Sequence, residues 1–271
     1  MTRIRYEEDE ASTPRYTTLN LKIDAGAAGP TGVHWHVADG VEVRYASVDD
    51  EREQMLWVEA KRRDGSWHRY ANVRAPAGAS ESGHVRVMDC VDCHNRATHI
   101  YEDPGRAVDE AIRLGRIDRS LPFIRREAVA AIRAGYPTRE AGFAGIRAAM
   151  DGFYRREYPD RASAWLDRID AAVAVLQEIY ARNIHHEMNI SWGAYPSLLG
   201  HGQSPGCFRC HSRDLQDAEG AWISDGCTVC HSILANDERE PFAYLGPAGE
   251  NDSNRAMHLY LREEFLSSYF N

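Results

Sequence analysis

The sequence predicts a mainly α-helical chain with a small N-terminal antiparallel β region and loop-rich segments towards its C-terminal end. Runs rich in β-branched and aromatic residues lie between residues 32 and 74, and apolar residues recur at helical spacing between residues 103 and 185. Residues 188–241 are rich in Gly, Ser, Asp and Cys without strong periodicity. This last stretch is therefore expected to need more than an apolar core to hold it.

The predicted β region consists of four short runs: VHWHV, VEVRYASV, QMLWVEA and SWHRYANV. Asp64 and Gly65 separate the last two runs, and this dipeptide is a strong indication of a tight hairpin. We therefore expect a small antiparallel sheet. The Gly-, Pro- and Ser-rich residues 75–83 that follow are expected to form a linker.

The helical region has recognisable starts and a clear apolar face. Pro104, Pro122 and Pro137 stand at expected helix starts, where the missing proline amide costs no hydrogen bond, and Gly135 stands near a helix end. One apolar stripe recurs every three or four positions: Trp165, Leu166, Ile169, Ala172, Val173, Leu176, Ile179 and Tyr180. We interpret this stripe as core packing.

These patterns divide the chain into five segments. They are a polar N-terminal arm (1–31), the small β region (32–74), the first cysteine motif with the helical region (75–187), a loop-rich region with two further cysteine motifs (188–235) and a C-terminal tail (236–271).

Composition narrows the class of function. The 271 residues include 41 acidic and 32 basic residues, and the resulting formal charge of −9 argues against a broad nucleic-acid-binding face. Proteins and small redox molecules are more plausible partners. No apolar stretch approaches the roughly 20 residues of a membrane-spanning helix, and the first 24 residues lack the apolar region of a secretory signal.

All six cysteines belong to three Cys-x-x-Cys-His motifs. The cysteines are Cys90, Cys93, Cys207, Cys210, Cys227 and Cys230, and the adjoining histidines are His94, His211 and His231. Two thiols three residues apart can add to the two vinyl groups of one haem, and the histidine then reaches the iron as an axial ligand. Only 12 of the 271 residues are histidine, so chance would place one after all three pairs about once in 10,000 sequences. The motifs predict three covalently attached haems c.

Other uses of the cysteines explain less. The last four have the spacing C-x2-C-x16-C-x2-C, which fits a structural zinc site, but zinc leaves Cys90, Cys93 and the three histidines without a role. A thioredoxin-like site needs only one Cys-x-x-Cys pair. Disulfides would explain the even number of cysteines but not the histidines.

Nine histidines outside the motifs are candidates for the sixth ligand of an iron: His34, His36, His68, His84, His99, His185, His186, His201 and His258. We favour His99, which follows His94 by five residues, and His201, whose glycine-flanked loop lets backbone approach a porphyrin closely. His34 and His36 are expected on one face of a strand, so one iron takes only one of them, and we favour His36.

The remaining candidates have weaker arguments. His185 and His186 end a predicted helix, where capping and ligation are both open, and Met188 is a weaker ligand candidate. We interpret His68, His84 and His258 as ordinary polar residues.

The blocks MDCVDCHNRATH, MNISWGAYPSLLGH, PGCFRCH and CTVCH resemble the multihaem cytochromes c of the NapC/NirT type. The resemblance runs from about His34 to Leu234. In that family a Cys-x-x-Cys-His motif followed five residues later by histidine supplies a proximal and a distal ligand to different haems, which implies these roles for His94 and His99. The family passes electrons from membrane quinol to periplasmic reductases. The resemblance therefore implies protein redox partners, among them quinol-oxidising components, terminal reductases and other multihaem cytochromes.

The resulting hypothesis is a low-potential electron carrier with two histidine ligands at each iron and no catalytic residues. One alternative is a haem enzyme with an open iron position for nitrite, hydroxylamine or peroxide, and another is a subunit of a longer haem wire. Covalent haem attachment normally takes place outside the bacterial cytoplasm. We therefore expect a periplasmic or extracellular location and a chain that has been processed or is a fragment.

Overall fold

The computed structural model describes residues 1–23, 32–48, 50–62, 64–76, 78–79, 83–95, 99–195, 197–201, 204–250 and 252–270, with side chains up to residue 268. The chain forms two compact units. The first unit consists of Met1–Leu19, His99–Tyr195 and Ile233–Arg262, and the second consists of Asn20–Thr98, Pro196–Ser232 and Glu263–Asn271.

The described residues contain seven α-helices and eight strands. The helices are α1 (Pro104–Arg113), α2 (Ile124–Arg133), α3 (Arg139–Glu157), α4 (Pro159–Ala162), α5 (Leu166–Asn183), α6 (Cys227–Cys230) and α7 (Arg255–Phe270). The strands are β1 (Thr2–Tyr6), β2 (Pro14–Leu21), β3 (Val43–Ser47), β4 (Met55–Lys61), β5 (Trp67–Asn72), β6 (His84–Val87), β7 (Leu215–Gln216) and β8 (His231–Glu238). No helix among the described residues is long and apolar enough to cross a membrane.

The first unit is built on the helices α1 to α5. The carboxylate of Asp103 accepts the Arg106 amide at 2.9 Å and caps α1, which begins at Pro104 as predicted. The predicted face of α5 is buried in the apolar core of this unit from Ile169 to Tyr180, which confirms the interpretation as core packing. Leu166 is an exception, because it is the first residue of the helix and remains exposed.

Replacing Leu176 by alanine is expected to destabilise this helical core. The Leu176 side chain is fully buried, so the change removes apolar contacts and leaves a cavity, at a cost of about 2 to 5 kcal/mol in the free energy of unfolding. Chemical denaturation followed by far-ultraviolet circular dichroism measures the loss. The matched control is Leu166→Ala on the exposed start of the same helix, and equal losses in the two variants would contradict the prediction.

A five-stranded sheet in the order β6-β3-β4-β5-β7 forms the framework of the second unit. Its described pairs are antiparallel, and the predicted hairpin joins β4 and β5 with Lys61 opposite Trp67. Gly65 adopts a φ of 83°, which glycine tolerates, and the Asp64 carboxylate accepts the Ser66 amide at 2.9 Å. The hairpin prediction is confirmed.

Three regions differ from the sequence-based expectation. Residues 33–37 were expected to form a strand but form a 3-10 helix, because Gly32 turns the backbone at a φ of 80° and the Ala38 amide bonds back to Trp35. His34 is therefore exposed while His36 is half-buried, and the two do not share one face. The segment 1–31 carries β1 and β2, which pair antiparallel, and the C-terminal tail carries α7.

Candidate haem-binding site

The three cysteine motifs share one turn-forming backbone hydrogen bond, and all lie in the second unit. In each motif the histidine amide donates to the carbonyl of the first cysteine: His94 to Cys90 at 2.8 Å, His211 to Cys207 at 3.0 Å, and His231 to Cys227. Residues three and four positions apart lie on one side of such a turn. The two thiols and the imidazole of each motif are therefore arranged for a single cofactor.

The cysteines form neither disulfides nor a zinc cluster. All six are free; Cys90 and Cys227 are exposed, and the other four are half-buried. Among the described residues, no three His, Cys, Asp or Glu side chains converge as a metal site, so the four-cysteine zinc arrangement is not formed. The thiols remain available for attachment.

The first and second motifs are electrostatic neighbours. Burial raises the pKa of Cys210 to about 12, with a further contribution from the Cys93 thiol. Burial likewise raises the pKa of Cys93, and the nearby Cys207 thiol adds to this rise. The cysteines of these two motifs therefore lie within electrostatic reach of each other.

His211 and His36 form one imidazole pair. Their ring centroids are 5.7 Å apart at an interplanar angle of 79°. The Nδ1 atom of His211 lies 2.6 Å from the Ser224 carbonyl, and Nδ1 of His36 lies 2.9 Å from the Val33 carbonyl. Such bonds fix the Nδ1–H tautomer and leave Nε2 as the metal-binding atom of both rings.

His231 and His201 form a second pair. Their ring centroids are 6.3 Å apart, and their planes are inclined by 28°. An imidazole nitrogen lies about 2.0 to 2.1 Å from a bound transition metal and about 1.1 Å from its ring centre, so two imidazoles on opposite sides of one metal have centroids about 6.2 to 6.4 Å apart. The spacing of this pair fits that geometry. The Nδ1 atom of His231 is buried and has no hydrogen-bond partner among the described residues.

Burial favours the neutral form, which binds metals, in two of these imidazoles. It lowers the pKa of His36, although the Val33 carbonyl acts in the opposite direction. It also lowers the pKa of His231, and the proximity of His201 adds to the decrease. A neutral imidazole is the ligating species.

His94 and His99 have different surroundings. His94 is exposed, and no other imidazole of the described part of the chain packs against its ring. His99 belongs to the first unit, where its Nε2 lies 2.8 Å from the Arg182 carbonyl. Its ring packs on Tyr101 at a centroid distance of 4.5 Å and lies 6.2 Å from the ring of His185.

The other histidines with described hydrogen bonds interact with protein groups. His258 uses both ring nitrogens, at 3.0 Å from Asp252 and 3.1 Å from the Gly246 carbonyl. His68 lies 3.2 Å from the Asp217 carboxylate. His186 lies 3.1 Å from the Tyr180 hydroxyl.

Asp92, inside the first motif, is a residue that the sequence reasoning missed. Its side chain is fully buried and accepts hydrogen bonds from Tyr45 at 2.5 Å, Arg52 at 2.7 Å and Arg86 at 3.2 Å. Burial acts to raise the pKa of Asp92, but the hydrogen bonds and the Arg86 charge outweigh it, and the net pKa is lowered. A charged residue between the two cysteines was visible in the sequence, but its burial was not.

Each motif carries one exposed apolar side chain between its two cysteines. Val91, Phe208 and Val229 lie inside the three motifs and are all exposed. A cavity of about 240 Å³ opens beside His211; Phe208 forms its apolar wall, and Ser212, Arg213 and Asp225 form its polar lining. Covering exposed apolar surface with an apolar cofactor is favourable. The free thiols, the imidazole pairs and this apolar surface fit covalently attached haem.

Gly206, directly before the second motif, is required by the loop geometry. It has a φ of 46°, and an added Cβ would overlap the carbonyl oxygen of Gly200. Gly226 stands in the same position before the third motif, but its φ is −66° and an added Cβ would meet its nearest atom at 3.4 Å.

Gly206→Ala is therefore expected to disrupt the second motif and lower its haem occupancy, whereas Gly226→Ala is expected to retain full occupancy. Haem content per chain, measured by absorbance and intact mass, compares the two variants. Full occupancy in Gly206→Ala would contradict the expectation.

Comparison with known proteins finds one informative similarity. The chain is 37% identical over 233 residues to the cytochrome c-type protein ImcH of Geobacter sulfurreducens. The match covers 84% of this chain and 46% of that relative, so the chain spans about half the relative's length. No family model matches the chain, and no solved structure matches it. The similarity supports an electron-transfer haem protein of the cytochrome c type with covalently bound haem.

Proposed function

We propose that this chain carries three covalently bound haems c and transfers electrons between redox partners through haems with two histidine ligands. In this proposal His94, His211 and His231 are the proximal ligands. His36, His99 and His201 remain the preferred distal ligands, with His36 opposite His211 and His201 opposite His231.

One observation carries the proposal: two motif histidines each lie beside a second imidazole, and one of these two pairs has the spacing expected for ligands of one metal. The His201 and His231 centroids lie 6.3 Å apart, and those of His36 and His211 lie 5.7 Å apart. Both distal histidines come from outside the motifs, and chain segments far apart in sequence bring them there.

The protein residues attach, orient and tune the cofactors. When bound, each haem iron supplies one-electron redox chemistry. The Ser224 and Val33 carbonyls hold the His211 and His36 rings in one tautomer, and hydrogen bonds of this kind raise the basicity of an imidazole ligand. Two histidine ligands omit the methionine that raises cytochrome potentials, so a low potential is expected.

A haem enzyme is the second candidate, and His94 is the observation that favours it. This histidine is exposed, and no imidazole of the described residues stands opposite it. An iron with an open position would bind nitrite, hydroxylamine or peroxide. A subunit of a longer haem wire is a further form of the carrier.

The proposal extends to fold, location and partners. We propose a multihaem cytochrome c fold of the NapC/NirT type, with helices and a small β region supporting loop-rich haem-binding segments. We also propose a periplasmic or extracellular location, because covalent haem attachment belongs to that compartment. The proposed partners are redox proteins, including a quinol-oxidising or terminal reductase component and other multihaem cytochromes.

Intact mass under denaturing conditions, paired with a pyridine haemochrome spectrum of native material, tests the proposal. We expect a mass increment of three haems and a c-type spectrum. Bound zinc without a haem increment would overturn it. Carbon monoxide then separates the two candidates: no binding to the reduced protein favours the carrier, and binding of one equivalent favours the enzyme.

A further inference from the structure

The residues that precede the second cysteine of the first and second motifs are both buried and charged. They are Asp92, which is 0% exposed, and Arg209, which is 8% exposed. Haem attachment requires the two cysteines and the histidine but leaves this position open to any residue. Charged residues are almost never buried unless they are paired, so each of these two needs an explanation.

Arg209 binds the backbone of three chain segments at once. Its Nη2 donates to the Asp92 carbonyl at 2.8 Å, its Nη1 to the Arg52 carbonyl at 2.8 Å, and its Nε to the Gly206 carbonyl at 2.9 Å. The planar guanidinium presents its donors in a rigid fork, so these bonds fix relative position as well as distance. One side chain thus ties the start of the second motif to the middle of the first, 117 residues away.

Asp92 ties the same first motif to the sheet. Tyr45 on β3 and Arg86 on β6 both donate to its carboxylate, and the Asp89 amide donates to its other oxygen at 2.8 Å. Arg52 takes part in both sets of contacts, because its side chain bonds to Asp92 and its carbonyl accepts from Arg209.

The hydrogen bonds of Asp92 and Arg209 lie next to the thiols of the two motifs. Asp92 and Arg209 directly precede Cys93 and Cys210, and Cys210 packs against the apolar cluster that contains Tyr45. A displacement of either motif would therefore break charged hydrogen bonds in a buried site, which is costly.

We propose that Asp92 and Arg209 are positioning residues that lock the first and second haem motifs in one relative placement and so set the geometry between their two haems. This inference rests on the proposed function, since it concerns how the haems are arranged. Electron transfer between haems depends steeply on their separation and orientation, so such a lock would act on the rate between them.

Soret circular dichroism of the haem-loaded protein tests the inference, because neighbouring haems produce a split signal that depends on their mutual orientation. The variants are Asp92→Asn and Arg209→Gln, with Arg74→Gln as the control, since the Arg74 side chain follows β5 in the same unit and is 78% exposed. We expect loss of the split from the first two variants with haem content unchanged, and a wild-type signal from the control. The measurement is repeated in chains that also carry Cys227→Ser and Cys230→Ser. These chains lack the third attachment site, so a split signal comes from the haems of the first and second motifs alone.

Arg209→Lys covers the case in which Arg209→Gln loses haem. Lysine keeps the charge but lacks the fork, so a weakened split at full haem content would support the positioning role. A wild-type split in a fully loaded Arg209→Lys or Arg209→Gln variant would overturn it. A wild-type protein without haem would instead overturn the proposed function, and the inference with it.

Discussion

Replacing Cys227 and Cys230 together by serine is expected to lower the haem content from three per chain to two. Serine cannot form the thioether bonds that attach the third haem, whereas the other two motifs keep all four thiols. Intact mass under denaturing conditions should show the loss of one haem increment. The absorbance of the pyridine haemochrome per chain should fall by one third.

The control for this pair is Val229→Ala in the same motif. Val229 is exposed and lies between the two cysteines without supplying an attachment bond, so this variant should keep three haems. An unchanged haem mass in the double serine variant would exclude the third motif as an attachment site.

Replacing His201 by alanine is expected to open one iron. The His201–His231 pair has the centroid spacing expected for two ligands of a single metal, and alanine at position 201 leaves no donor on the distal side. The reduced variant should bind one additional carbon monoxide per chain. Its spectrum should also change from low-spin to high-spin at one haem.

The matched control is His84→Ala, because His84 is an exposed histidine on β6 in the same unit. It should bind carbon monoxide as the wild type does. If His201→Ala also behaves as the wild type, another residue ligates the third haem.

Local patterns predicted those parts of the fold whose interactions are close in sequence. The hairpin at Asp64 and Gly65 and the buried face of α5 depend on neighbours within a few residues, so their patterns were informative. The first strands were missed because β1 and β2 are polar and join a sheet with β8, more than 200 residues away. The 3-10 helix at Val33–Val37 was mistaken for a strand because its residues alternate as in a strand, whereas the turn at Gly32 that begins the helix depends on a backbone angle that the sequence does not record.

The candidate site was likewise predictable only where its residues lie close together in the sequence. The spacing of cysteine and histidine identified the three motifs, because attachment chemistry demands that spacing. The pairing of His36 with His211 depends on residues that are 175 positions apart, and no local pattern records it. Arg209 illustrates the same limit, since its acceptors are three backbone carbonyls that any residue would provide.

The position of Cys210 has a consequence for biosynthesis. Its thiol packs against the apolar cluster of the second sheet, whereas Cys90 and Cys227 are exposed. An attachment enzyme must bring a haem vinyl group to each thiol, and the half-buried Cys210 thiol is less accessible than the exposed ones. If each motif holds a haem as proposed, attachment at Cys210 is expected to be easier before its segment packs against the sheet than afterwards.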